Sequence, residues 1–277
     1  MVYIREANIN DSKKIADFIK NIITKNLFYF DYSRENNKNS YKLYDENYVK
    51  ELILRGDKIL IAIAEGDNNI VGISHWDNRD GIYFNEYTVV DPNYGKNGIA
   101  RIFYNHFLDK NIPVGAEFIV YTPASPNIFK LWYNKGTKIF GFSAAQQYYT
   151  SDGKEYSTIL GFRPIENKIN ISVPDYAEEY VKRICLLNSI DCKIRKVKQD
   201  LGEVNETKGK VILSDEIKNN YILTGFMFNN GKAIYFFSNR IDPNGVENIK
   251  KFFSYFENDP YFLKAKDIIL SYIEKIK

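Results

Sequence analysis

Apolar residues along the chain switch between alternation at every second position and stripes at every third or fourth, and each switch marks a new element. Residues 2–7 alternate as a short strand. Asp11 then stands as a helix N-cap, ahead of a stretch with Ile15, Phe18, Ile19 and Ile22 on one face. The Asn-rich stretch 32–44 reads as loop, and a second helical pattern through Tyr48, Leu52 and Ile53 stops at Gly56. Strands at 59–65 and 70–77 follow, joined by Gly66-Asp67-Asn68-Asn69, residues that tolerate positive φ. A turn at 78–81 leads to a strand at 82–90. The period changes at 91–97, and a helix at 98–110 carries the stripe Ile99, Ile102, Phe103, His106 and Phe107. A strand at 117–122, a helix at 127–134 and a hairpin of 137–149 with 155–162, turning on 151–154, complete this part.

Pro164 ends the last strand, and the pattern restarts after 163–167. Beyond it lie a strand from Lys168, a helix at 176–188, strands at 191–197, 210–213, 221–228 and 233–238, and helices at 245–256 and 260–275. The expected class is α/β (α+β): a mixed sheet flanked by helices over 1–165, and a smaller α+β domain of unknown role over 166–277. A length of 277 residues with 44% apolar content suits two cores. The 22 Tyr and 19 Phe make those cores aromatic-rich. Clusters such as Tyr148-Tyr149 and Tyr235-Phe236-Phe237 fit strands better than a base-stacking platform, because no basic stripe accompanies them.

Net charge is +3, with both signs interspersed, so neither a nucleic-acid nor a membrane surface is expected. Met1-Val2-Tyr3-Ile4-Arg5 shows no signal-peptide pattern and no apolar run approaches a membrane span, which points to the cytoplasm. Cys185 and Cys192, without flanking His, read as small core residues rather than a zinc site. His75 alternates with Val71 and Ile73, and His106 sits on a helical stripe. Both read as structural, and no metal is expected.

The chemistry concentrates between Glu86 and Arg101, where a strand runs into a glycine-containing turn that opens a helix. The first N–H groups of a helix lack partners, and with the helix dipole they suit a diphosphate. Gly95 and Gly98 let backbone approach such a ligand without a Cβ in the way. The spacing is not the Gly-x-Gly-x-x-Gly of a dinucleotide fold, and no βαβ unit begins the chain. Val90-Asp91-Pro92 followed by Gly95-Lys96-Asn97-Gly98-Ile99-Ala100 resembles the GNAT N-acetyltransferases, which carry Val-x-Pro and then Arg/Gln-x-x-Gly-x-Gly/Ala at this junction. Element order over 1–165 is also similar to that family. Gly95 departs from it, standing where the family prefers Arg or Gln.

The resemblance implies an acyltransferase that moves an acetyl group from acetyl-CoA to an amine, on a small molecule or a peptide. The alternatives are a non-catalytic acyl-CoA-binding regulatory module with the C-terminal domain as output, and a structural protein with a degenerate fold. It further implies that Val89 and Val90 pair with the pantetheine arm. The amides of Gly95, Lys96, Asn97, Gly98, Ile99, Ala100 and Arg101 would hold the pyrophosphate, with Asn127 a further contact. Glu86 is the implied base and Tyr133 the implied acid, although Trp132 stands at the family's usual tyrosine spacing. A homodimer is compatible with the sequence.

Overall fold

Two structural units organise the chain: Met1–Gly115 with Tyr149–Lys154, and Ala116–Tyr148 with Glu155–Lys277. The structure is a computed structural model that describes residues 2–24, 45–66, 68–79, 82–95, 97–111, 117–121, 126–149, 155–164, 166–199, 211–229 and 231–276. The loop expected at 32–44 and the turn at 151–154 lie outside the described residues, as do parts of the turns at 66–69 and 78–81.

In the first unit, β1 (Val2–Glu6), β2 (Lys58–Ala64), β3 (Ile70–Arg79) and β4 (Ile82–Val90) pair antiparallel in chain order. Helices α1 (Ser12–Thr24) and α2 (Glu46–Arg55) contribute Ile15, Phe18, Ile19, Ile22, Val49 and Leu52 to a core with Ile59, Ile61, Ile63, Ile73 and Val89 of the sheet. Helix α3 (Ile99–Asn111) brings Phe107 against the other face, stacked 3.9 Å from Trp76 and edge-on 5.4 Å from Tyr83.

The structure corrects two details. The cap ahead of α1 is Asn8, not Asp11. Its side chain accepts from Asn10 N at 2.9 Å, while Asp11 closes the capping box by accepting from Asn8 N at 2.8 Å. Arg5 of β1 grips both Asp11 oxygens at 2.7 Å and holds that carboxyl below its ordinary pKa. The buried stripe of α3 is also rotated from the expected one. Ile99, Phe103 and Phe107 face inward with Tyr104, whereas Ile102 is 45% exposed and His106 half-buried. Trp76 draws in the larger ring of Tyr104, its centroid 6.1 Å away, at the expense of Ile102.

The second unit comprises β5 (Glu117–Tyr121), α4 (Pro126–Tyr133), β6 (Lys138–Tyr149), β7 (Glu155–Arg163), β8 (Lys168–Pro174), α5 (Glu178–Leu187), β9 (Asp191–Val197), β10 (Val211–Ser214), β11 (Ile222–Asn229), β12 (Lys232–Ser238), α6 (Pro243–Ser254) and α7 (Pro260–Ile276). Its main sheet runs β5-β7-β6-β11-β12-β10, and β8 pairs with β9 in parallel. Phe140 meets Phe162, Phe226 and Phe228 edge-on, and Phe162 meets Phe228, with centroids 5.2–6.0 Å apart. Phe129 of α4 meets Phe252 and Phe262 of α6 and α7 in the same way. Residues on both sides of position 165 thus build one aromatic core.

Strands β6 and β11 are in register at Gly141 and Gly225. A Cβ on Gly141 would stand 2.4 Å from Thr224 O, so this approach requires glycine. Thr224 is the extra residue where β11 slips against β12. Tyr180 and Tyr272, stacked at 4.1 Å, donate their hydroxyls to Thr224 O and Leu223 O, which satisfies carbonyls at the slip.

Candidate functional site

Strand β4 carries a bulge. Ile73 opposes Val89, Ser74 opposes Thr88 and His75 opposes Tyr87, but Trp76 opposes Asn85, which leaves Glu86 as the extra residue. Such insertions bend a strand, interrupt its ladder and re-aim side chains. The slip places Asn85 opposite Trp76, where a buried polar cluster forms. Ser74 Oγ and Thr88 Oγ1 are 2.9 Å apart, Trp76 Nε1 donates to Ser74 Oγ at 3.0 Å, and Asn85 Nδ2 lies 3.4 Å from both hydroxyls. Sequence reasoning passed over Ser74, Asn85 and Thr88. Their only signal is polarity inside otherwise apolar strands.

At the end of β4, Asp91 N donates to Val71 O, and Asp91 Oδ1 caps a 3-10 turn over Pro92–Tyr94 by accepting from Asn93 N at 2.9 Å. Gly95 N donates to Pro92 O at 3.1 Å and Asn97 N to Tyr94 O at 3.2 Å, so these two amides are committed within the turn. Lys96 lies outside the described residues. Gly98 takes φ +71°, and a Cβ placed there would meet no atom within 4 Å. The first helical bond of α3 runs from Ile102 N to Gly98 O at 3.0 Å, so the N–H groups of Ile99, Ala100 and Arg101 have no partner within the helix. Of the amides expected to form an anion cradle over residues 95–101, those of Ile99, Ala100 and Arg101 are without a partner in the turn or the helix among the described residues.

Ile99 is buried and anchors that start, Ala100 is half-buried, and Asn97 and Arg101 are exposed. Val89 packs in the core under α1 and α2, and Val90 is half-buried. Gly95 has right-handed helical angles (φ −60°), so its backbone does not demand glycine. A Cβ there would nonetheless press to 3.3 Å from Pro92 O.

Asn127 and Tyr133 lie on α4, in the second unit. Tyr133 is half-buried, its ring 4.7 Å from Tyr261 and 5.0 Å from Phe262, with Lys138 Nζ 4.5 Å from its centroid. Burial, with Asp259 nearby, raises the pKa of its hydroxyl. Trp132, at the family's tyrosine spacing, is buried. Tyr261 accepts from Ile139 N at 2.6 Å and donates to Asn188 Oδ1 at 2.9 Å, while Asn188 Nδ2 donates to Ile139 O at 2.8 Å. That pair holds β6 where it leaves α4.

His75 is buried, with Nε2 2.7 Å from Asp57 Oδ2. Arg55 binds both Asp57 oxygens, at 3.0 and 2.7 Å, and reaches Asp77 Oδ1 at 2.9 Å. Burial alone would push the Asp57 carboxyl up; the hydrogen bonds from His75 and Arg55 outweigh it and hold the pKa below its ordinary value. Among the described residues, no group of three or more His, Cys, Asp or Glu is placed to hold a metal ion. Among the same residues, no helix is long and apolar enough to cross a membrane.

Neither a family model nor a curated protein matches the sequence. In structure the chain is similar to GNAT acetyltransferases. A GNAT-family acetyltransferase from Streptococcus pneumoniae is 17% identical, covering 58% of this chain and 98% of its own, with a TM-score of 0.45. A phosphinothricin acetyltransferase from Sinorhizobium meliloti, in complex with AcCoA, is 14% identical over 59% of this chain and 88% of its own, with a TM-score of 0.45. A spermidine N-acetyltransferase from Vibrio cholerae, in complex with CoA and spermine, is 15% identical over 58% and 94%, with a TM-score of 0.44.

Proposed function

We propose that the chain is an acyl-CoA-dependent N-acyltransferase that moves an acetyl group from acetyl-CoA to an amine. The observation that supports this most is the start of α3. A left-handed glycine with open space before it leads into amides that have no partner within the helix, directly after a strand bulged at Glu86. A diphosphate fits this donor set: the amides of Ile99, Ala100 and Arg101 would hold it, with the exposed Arg101 side chain supplying positive charge. Acetyl-CoA would supply the activated acyl thioester.

The chain's own work is then orientation and proton transfer. An ammonium has no lone pair, so the acceptor amine must lose a proton before attack. Glu86, the extra residue of the bulge, is the proposed base, its carboxylate taking that proton directly or through a water. Tyr133 is the proposed acid, donating from Oη to the departing thiolate. A phenol is protonated at neutral pH, so that proton is available to give. Residues 1–165 are proposed to carry this activity, with a small-molecule or peptide amine as acceptor.

Titration calorimetry with CoA, followed by thiol release from acetyl-CoA over a panel of polyamines, amino acids and peptides, tests the reading. Binding together with amine-dependent release is the expected result. Binding without release from any amine would leave an acyl-CoA-binding module, and absence of CoA binding would overturn the proposal.

A further inference from the structure

Asparagine followed by glycine occurs at three places in the chain: Asn97-Gly98, Asn230-Gly231 and Asn244-Gly245. The three do not share a setting. Asn97 and Gly98 are both exposed, between the 3-10 turn over Pro92–Tyr94 and the start of α3. Asn244 and Gly245 belong to the first turn of α6, where helical angles hold the backbone and Gly245 is buried. Asn230 lies outside the described residues. An Asn amide is lost when the backbone nitrogen of the next residue reaches its Cγ. That requires room for the peptide plane to turn, no side chain in the path, and an attacking N–H free to give up its proton. The turn before α3 meets all three conditions. Gly98 takes φ +71°, and nothing lies within 4 Å of where a Cβ would stand. Its N–H has no hydrogen-bond partner among the described residues, whereas Asn97 N is tied to Tyr94 O at 3.2 Å. The first helical bond of α3 ends on Gly98 O, so the positive end of the helix dipole stands at the reacting amide. That end favours the negative charge developing on the attacking nitrogen and on the Cγ oxygen.

We propose that Asn97 is a site of spontaneous deamidation, and that its conversion weakens anion binding at the start of α3. Gly98 N attacks Asn97 Cγ, a new N–Cγ bond forms, and the side-chain nitrogen leaves as ammonia with the Gly98 proton. The product is a succinimide ring. Water then opens one of its two carbonyl–nitrogen bonds: opening at Cγ gives aspartate, and opening at the backbone carbonyl gives isoaspartate. One water is consumed and one ammonia released, with no change of oxidation state. Either product sets a negative charge directly before Gly98, beside the amides of Ile99, Ala100 and Arg101. The new carboxylate competes for those amides and repels an incoming phosphate. Isoaspartate also routes the main chain through Cβ, which lengthens the turn ahead of the helix. The effect on binding rests on the diphosphate reading of these amides given above; the conversion itself does not.

The test holds the full chain in mildly alkaline buffer, digests samples with chymotrypsin at intervals, and reads residues 95–103 by mass spectrometry for aspartate and isoaspartate forms. Asn97 is expected to convert at least about tenfold faster than Asn244 in the same sample. Gly98→Ala is expected to slow Asn97 by about tenfold, because its Cβ crowds the attack. An Asn97 that keeps its amide, or converts no faster than Asn244, would overturn the proposal, as would an unchanged rate in Gly98→Ala. Fresh Asn97→Asp protein, its folding confirmed by circular dichroism, is then titrated with CoA beside fresh wild type. It is expected to bind about tenfold more weakly. Equal affinity would overturn the link between conversion and binding. Wild type that binds no CoA would overturn the function proposed above together with that link, while the conversion rates would still decide whether Asn97 is the site.

Discussion

Gly98→Asp separates the stability of α3 from the diphosphate binding proposed for its start. A Cβ at φ +71° costs roughly 1–2 kcal/mol, although Asp is among the residues that tolerate the left-handed region best. No atom lies within 4 Å of that Cβ, so no steric cost is added. The new carboxylate stands just before Ile99, where an N-cap Asp accepting from Ala100 or Arg101 N returns about 1 kcal/mol. The helix dipole contributes a few tenths of a kcal/mol more. The folded protein should therefore change by no more than about 1 kcal/mol, a shift of roughly 4 °C or less in Tm. Toward a diphosphate the same group acts in one direction only. At about 5 Å and an effective dielectric near 20, its repulsion of one phosphate charge is about 3 kcal/mol, and it occupies amides the ligand needs. Allowing for screening at an exposed turn, CoA affinity should fall about 100-fold, equivalent to roughly 2.8 kcal/mol. Gly98→Ala carries the backbone cost without the charge and should lose less than about tenfold. Calorimetry on both variants, beside their thermal melts, decides the matter. A folded Gly98→Asp protein that binds CoA with unchanged Kd would show that the start of α3 is not the phosphate site.

Four further outcomes follow from the geometry. Glu86→Gln should lower turnover by roughly 10²-fold with CoA binding unchanged, and a rate near wild type at saturating amine would remove Glu86 as the base. Gly141→Ala should destabilise by about 3 kcal/mol or more in urea unfolding, because its Cβ would sit 2.4 Å from Thr224 O; a loss below about 1 kcal/mol would mean that β6 and β11 approach less closely. Asp57 has a lowered folded-state pKa, so its contribution is present above the unfolded value near 4 and is lost as pH falls through the folded one. Wild type and Asp57→Asn should accordingly converge in stability below about pH 4, and a gap independent of pH between 7 and 3 would contradict this. A chain ending at Glu166 should keep the core of the first unit but lose the burial of Trp132 on α4, because Phe140, Phe162 and Phe129 would lose Phe226, Phe228, Phe252 and Phe262, with each large buried ring contributing roughly 1.5–3 kcal/mol. Trp132 emission still shielded from quencher in that fragment, read in a Trp76→Phe background, would show that the two segments fold apart.

Much of this protein is legible one element at a time. Alternation and helical stripes locate the strands and helices to within a residue or two, from β1 at Val2–Glu6 to α7 at Pro260–Ile276, since each pattern depends only on its own backbone period. The turn before α3 is legible for the same reason: a strand, Pro92, Gly98 and a helical stripe are all local. What a single strand does not carry is register. Glu86 becomes the extra residue of a bulge only when β4 is counted against β3, and that slip decides that Asn85 joins Ser74, Thr88 and Trp76. Nor does an apolar face state what covers it. The ring of Tyr104 displaces Ile102 because Trp76 stands opposite, and Phe140 finds Phe226 across position 165 because Gly141 and Gly225 let two strands touch. Cap choice follows the same logic, with Asn8 prevailing over Asp11 once Arg5 of a neighbouring strand takes the carboxylate. Periodicity is a property of one segment, and these outcomes are properties of pairs, so only the assembled fold decides them.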